Sequence, residues 1–181
     1  MSQFEEKQIE REEIYDGAVL HVVKDKILLP DGNTSFREFC LHKGAVAVIP
    51  ITENNEAILV RQFRYAHHRE FLEIPAGKFD FVGEEPLAAA KRELEEETGA
   101  TAEKYTYLGV LDTTPALIDE KIHMYMAEGL SYGEMHLDED EFLSVHKVPL
   151  SELIEMVMNG EIRDGKTQIA ILKAARILGI N

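Results

Sequence analysis

The chain has a single cysteine, Cys40, so no intrachain disulfide forms and no cysteine-rich zinc site can be assembled. Long apolar runs are missing as well: nothing approaches the ~18 residues that a membrane-spanning helix needs. The opening stretch, MSQFEEKQIEREEIYDG, is polar and charged and lacks the apolar centre of a secretory signal. Positive charge is scarce, with 19 lysines and arginines against 34 acids and a formal net charge of −15. That balance excludes long-range attraction to nucleic acid or to an anionic membrane. An anionic phosphate substrate stays compatible, provided that bound cations accompany it at the site. What is present, 45% hydrophobic residues over 181 positions, suffices for one globular domain with a sizeable core. The expectation is a soluble, cytoplasmic protein.

Residues 13–29, EIYDGAVLHVVKDKILL, are rich in β-branched and apolar side chains in rough alternation, which reads as strand. Asp31 and Gly32 form a hairpin-turn signal, and TSFREFCLH (34–42) reads as the returning strand. GAVAVIPI (44–51) is a continuous apolar run, the pattern of a strand buried on both faces. AILVRQFR (57–64) follows after a turn at ENNE. A boundary at His42 to Gly44 would divide an N-terminal hairpin subdomain, 1–42, from a main domain, 43–181. Further on, TYLGVLDTTP and KIHMYMAEGL read as strands around the loop DTTPALIDE, and the acidic loop GEMHLDEDE (133–141) precedes the strand FLSVHKV. Two helical patterns close the chain, Ser151–Met158 before Gly160 and Thr167–Leu178 before Gly179. Strands, a central helix, more strands and terminal helices predict a mixed α/β layered fold.

The central helix is the unusual element. It lies in AGKFDFVGEEPLAAAKRELEEETGA (76–100), with Pro86 suited to its first position and Gly99 to its left-handed stop. At about 100° per residue, Leu87, Ala90 and Leu94 share one side. Glu93, Glu96 and Glu97 share another, beside small Ala89, while Glu95 points elsewhere. Like charges at these spacings repel unless a cation compensates. From the acidic run alone, a solvated helix face is the favoured reading over a metal site, because acidic helix faces are common. As ligands, three carboxylates after a glycine-containing loop suit Mg²⁺ or Mn²⁺, and Arg92 can orient Glu96 by a charge-assisted bond.

The full spacing goes further. Gly77, Glu84, Arg92, Glu93, Leu94, Glu96, Glu97, Gly99 and Ala100 together resemble the signature of the Nudix hydrolases. The resemblance implies a Nudix-type α/β/α sandwich with a mixed β-sheet, preceded here by N-terminal β-strands. It implies that Glu93, Glu96 and Glu97 bind divalent metal, that Arg92 orients them, and that Glu84 is a carboxylate at or beside the metal. In several members the backbone carbonyl at the position of Ala76 also serves as a ligand. One departure is the loop KFDFVG between Gly77 and Glu84, a residue longer than the pattern has; loop insertions are thermodynamically mild.

GAVAVIPI, VRQFRYAHHREFLEIPAGK and LDEDEF resemble the ADP-ribose pyrophosphatase branch of that family. Pro115 stands where the branch carries a proline, although Ala116 replaces the usual glycine after it. The resemblance makes Arg37 a substrate-binding arginine on the N-terminal strands, often across a dimer interface, and Arg64 another residue of the substrate pocket. For each, a surface ion pair is the alternative. Glu73 is a candidate hydrogen-bond partner of the substrate, with a plain strand carboxylate as the alternative, and Glu120 is a weaker pocket candidate. The general base of the branch lies on a loop after the signature, matched here by Glu139, with Glu141 as the alternative. The implied activity is Mg²⁺-dependent hydrolysis of ADP-ribose to AMP and ribose 5-phosphate by a homodimer. Another nucleotide sugar or dinucleotide, such as a GDP-sugar, is the rival substrate, and a non-catalytic ADP-ribose sensor is the rival class. His67 and His68 read as loop residues, and Cys40 as a small core or interface residue.

Overall fold

Charge pairing rather than apolar alternation builds the first strand. The computed structural model of the chain describes residues 2–137 and 141–181, in two units. The first unit runs to Lys43 and takes in Asp112–Lys121. It contains an antiparallel sheet in the order β1 (Lys7–Asp16), β2 (His21–Leu28), β3 (Thr34–Leu41). The reading of 13–29 as a single run needs correcting. The chain reverses at Gly17–Leu20, where the Gly17 amide donates to Leu20 O at 2.9 Å, and a further strand precedes it. β1 is exposed along its whole length, so it carries no burial periodicity. Its register sets Glu10 opposite Lys26, Arg11 opposite Asp25 and Glu12 opposite Lys24, and directly opposed unlike charges stabilise a strand pair. The Arg11 fork grips buried Asp25 with two bonds of 2.7 Å, which hold the Asp25 carboxyl below its usual range. The β2–β3 turn is the expected one, with Gly32 at φ 87°.

The second unit holds Gly44–Leu111 and Ile122–Asn181. Its centre is β4 (Ala45–Pro50), buried at every position as the unbroken apolar run predicts. β4 pairs in parallel with β9 (Lys121–Tyr132) and antiparallel with β7 (Ala76–Lys78), and β8 (Ala100–Asp112) completes the order β7-β4-β9-β8. A second sheet runs β10 (Leu143–Pro149), β5 (Glu56–Arg64), β6 (Arg69–Glu73). Alternate residues of β4 face opposite cores. Val46 and Val48 pack with Ala89, Ala90 and Leu94 of α1 (Pro86–Thr98). Ala47 and Ile49 belong to a larger cluster with Leu150 and Leu153 of α2 (Leu150–Met158) and Ile171 and Ala174 of α3 (Gly165–Leu178). A mixed sheet with helices on both faces is therefore the architecture of this unit. Among the described residues no helix is long and apolar enough to cross a membrane.

Candidate active site

Helix α1 is fixed at both ends by local chemistry. The Glu85 carboxylate accepts from the Ala88 amide at 2.8 Å as the N-cap, Pro86 takes the first helical position, and Gly99 at φ 66° ends the helix. This setting turns Glu93 and Glu97 inward, leaves Glu96 half-buried and Glu95 exposed. Strand β7 passes directly over the buried pair. The Ala76 amide donates to Glu97 Oε2 at 3.2 Å, and a Cβ built on Gly77 would overlap the Glu93 carboxylate. Glycine at 77 is thus what lets backbone and carboxylate meet.

Arg92 bridges the acids. Its Nη1 donates to Glu93 at 2.7 Å and to Glu96 at 3.0 Å, and Nη2 reaches Lys78 O at 3.3 Å and Glu84 at 3.5 Å. Buried Nε lies 3.4 Å from Asp80 Oδ2 without hydrogen-bond geometry. Glu84 in turn accepts from the Asp80 amide at 2.8 Å. One guanidinium is too little countercharge for this group. Burial pushes the Glu93 carboxyl up to about 7 although Arg92 pulls it down. Burial and then Glu93 push Glu97 up to about 8. Glu141 adds to the rise at both, so it stands within electrostatic reach of the pair. Glu139 lies outside the described residues.

The residues fit a hard divalent cation in donor chemistry: carboxylate oxygens, a backbone strand at contact distance, and an excess of buried negative charge. Among the described residues no three acidic, histidine or cysteine side chains converge closely enough to enclose an ion as they stand, because Arg92 bridges Glu84, Glu93 and Glu96.

A second constellation sits at the end of the β5–β6 pair. Glu73, 2% exposed, accepts from Arg64 Nε and Nη2 at 2.8 and 2.7 Å and from Lys166 Nζ at 2.5 Å. Burial alone would raise its carboxyl, but the two cations outweigh this and set it at about 2. Lys166 also lies 3.0 Å from Asp164, the N-cap of α3, which accepts from Thr167 N at 3.0 Å. Thr167 Oγ1 accepts from the Ile74 amide at 3.0 Å. Glu73 is therefore fully engaged inside the protein, while its partner Arg64 keeps a partly exposed side chain.

In the first unit, Arg37 donates to both oxygens of Glu6 and to Phe36 O. Glu120 accepts from Thr113 Oγ1 at 2.9 Å and lies 3.6 Å from His42 Nε2. Pro115 and Ala116 are exposed on the loop before it. His67 ends a single 3₁₀ turn and His68 follows at φ 50°, consistent with loop residues. Sequence reasoning missed Asp80, Asp164, Lys166 and Thr167. Only the Asp164 cap, three residues before Thr167, left a local signal.

Comparison with known proteins adds to this geometry. The NUDIX domain family model matches residues 41–168. An ADP-ribose pyrophosphatase of Bacillus subtilis (strain 168) is 44% identical over 94% of this chain and 93% of its own. A methanol dehydrogenase activator of Bacillus methanolicus is 45% identical over 93% of this chain and 91% of its own. Among solved structures, an ADP compounds hydrolase superposes with a TM-score of 0.86 over 99% of this chain and 97% of its own. At 22% identity that likeness speaks for the fold.

Proposed function

The chain belongs to the Nudix hydrolase family, and on that premise we propose that it hydrolyses the pyrophosphate of ADP-ribose to AMP and ribose 5-phosphate. The observation that carries this reading is the near-full-length similarity to an ADP-ribose pyrophosphatase, with the buried Glu93 and Glu97 lying against β7. Glu93, Glu96 and Glu97, with the Ala76 carbonyl and Glu84, would hold Mg²⁺, for which Mn²⁺ can substitute. Bound there, the ion would neutralise phosphate charge and make water a better nucleophile at neutral pH.

The chain's own residues supply the rest. Arg92 holds Glu93 and Glu96 in one orientation. Glu73, itself held by Lys166, fixes the Arg64 guanidinium, whose free edge can grip a phosphate oxygen. Arg37, Pro115 and Glu120 are assigned to substrate contact, Arg37 across the interface of a homodimer built on the 1–42 subdomain. Attack of a water oxygen on one phosphorus breaks the anhydride bond, whose electron pair leaves with the other phosphate. The proton passes to Glu139, or to Glu141 in its place. Glu139→Gln should then lower turnover by about 10²-fold or more with little change in substrate affinity, and full activity would remove it from the mechanism. We place the enzyme in the cytoplasm.

Product analysis of pure protein with ADP-ribose tests the whole, with Mg²⁺ and with chelator, beside GDP-mannose. Metal-dependent AMP and ribose 5-phosphate is the expected result. Preference for GDP-mannose would move the substrate and keep the reaction. Tight ADP-ribose binding without turnover would make the chain a sensor. Because the activator relative is equally similar, the assay contains no partner protein, so any hydrolysis belongs to this chain.

A further inference from the structure

Among the described residues, three arginines of the second unit, Arg69, Arg163 and Arg176, pair with no carboxylate in a chain of net charge −15, and the first two come together. Among the described residues, Arg69 makes a cation–π contact 4.2 Å from the centre of the Phe71 ring, and Arg163 reaches only Gly160 O at 3.5 Å. Both line one open pocket of about 650 Å³ with His67, Phe71, Asp164 and Gly165. That volume lies within the range of small-molecule sites and well above what a bare anion fills.

The topology explains why these groups converge. Arg69 is paired with Arg64 and Phe71 with Gln62 in the β5–β6 register. Alternate strand residues share a face, so Arg69, Phe71 and Glu73 lie in one row, and the loop from α2 to α3 brings Arg163 to it. The pocket thus begins one step beyond the Arg64–Glu73–Lys166 cluster. Asp164 is the one acid in its lining, and its Oδ2 is already taken by Thr167 and Lys166, so its charge is offset. The His67 ring sits 5.2 Å from that of Phe71 at 57°, buttressing the aromatic layer.

A guanidinium spread on an aromatic ring presents its other face as a flat stacking surface for a base. A second, unpaired guanidinium beside it suits the two or three acceptor oxygens of a phosphomonoester. We propose that this pocket is a second ligand site that takes a nucleoside monophosphate, with the phosphate on Arg163 and the base against the Arg69–Phe71 layer. The proposal stands on the pocket's own residues and does not depend on which anhydride the acidic helix handles.

Calorimetric titration of the whole protein with AMP, in chelator so that the acidic helix has no metal, tests it. One saturable site is expected, with adenosine and inorganic phosphate each binding at least about tenfold more weakly, since each keeps half of the contacts. Arg163→Ala should bring AMP down to the level of adenosine, and Arg69→Ala should weaken AMP and adenosine alike. Glu96→Gln should bind AMP as the wild type does. In case a variant fails to fold, amide chemical shifts of the wild-type protein give a second readout: AMP should move His67, Phe71 and Gly165 and leave Gly77 and Glu97 in place. Absence of saturable binding, undiminished binding by both arginine variants, inorganic phosphate matching AMP, or shifts centred on Gly77 and Glu97 would each overturn the proposal.

Discussion

A methyl group at position 77 would stand inside the Glu93 carboxylate, so this single residue decides whether β7 can lie against α1. In Gly77→Ala the cheaper response is for the Glu93 side chain to swing away, since β7 is tied to β4 at three successive register positions. The fold should survive, and the ligand set should not. We expect Mg²⁺-dependent hydrolysis to fall about 10²-fold or more, because displacement of a ligand by an ångström is costly in catalysis, with a melting temperature near that of the wild type. Unchanged turnover in that variant would show that Glu93 need not approach the strand. Glu73 poses the complementary case, a buried carboxylate whose value is stability. Its pKa falls from the ordinary 4.5 to about 2 on folding, so its contribution is fully present above about 4.5 and disappears as the pH drops towards 2. The shift corresponds to roughly 3 kcal/mol. Glu73→Gln leaves Arg64 and Lys166 without their shared partner and should be less stable than the wild type by about that amount at pH 7. Urea unfolding across the acid range should show this gap closing between pH 4.5 and 2; a gap that stays constant would mean that Glu73 acts through packing instead of charge.

Helix α1 organises more than its own carboxylates. Its final carbonyls receive amides from the loop after β9, Gly133 N to Gly99 O at 2.7 Å and His136 N to Glu96 O at 3.0 Å. Residues 133–136, on the way to Glu141, therefore hang from the end of the helix that bears Glu93 and Glu97. Gly99 joins the two, at φ 66°, where a Cβ would lie 2.6 Å from Gly133 O. Gly99→Ala should cost about 1–3 kcal/mol through left-handed strain and this backbone collision. It should also reduce turnover more than Mg²⁺ affinity, since the loop moves and the carboxylates do not. Calorimetry of metal binding beside steady-state rates separates the two, and an equal loss in both would refute the loop account. These elements also show what a sequence makes legible. α1 was readable because cap, period and stop all lie within its own residues, and β4 because burial on both faces leaves an unbroken apolar run. β1 was not, because the charges that hold it lie across the sheet on β2. Lys166 was hidden for a similar reason: its partner Glu73 is 93 residues away, and only the docking of α3 on the sheet brings them together.

At the scale of the whole molecule, charge and apolar surface pull in opposite directions. The first unit leaves Ile9, Ile14, Tyr15, Val19, Leu20 and Phe36 about half exposed, on a small sheet whose edges are β1 and β3 and on the turn between β1 and β2. Apolar side chains left exposed in one small unit suit a contact surface, and the homodimer proposed above would cover them. Each chain brings a formal charge of −15, so two chains repel as they approach. Salt screens that repulsion over a Debye length of about 10 Å at 0.1 M and leaves apolar burial largely untouched. Dimerisation should therefore tighten as sodium chloride rises from about 0.01 to 0.15 M, the reverse of an interface held by ion pairs. Sedimentation over a range of protein concentrations at both salt levels measures this directly. Weakening with salt would mean that ion pairs of the first unit such as Arg37–Glu6 are exchanged between subunits, and a fully active monomer at every concentration would rule out a site completed by the partner chain.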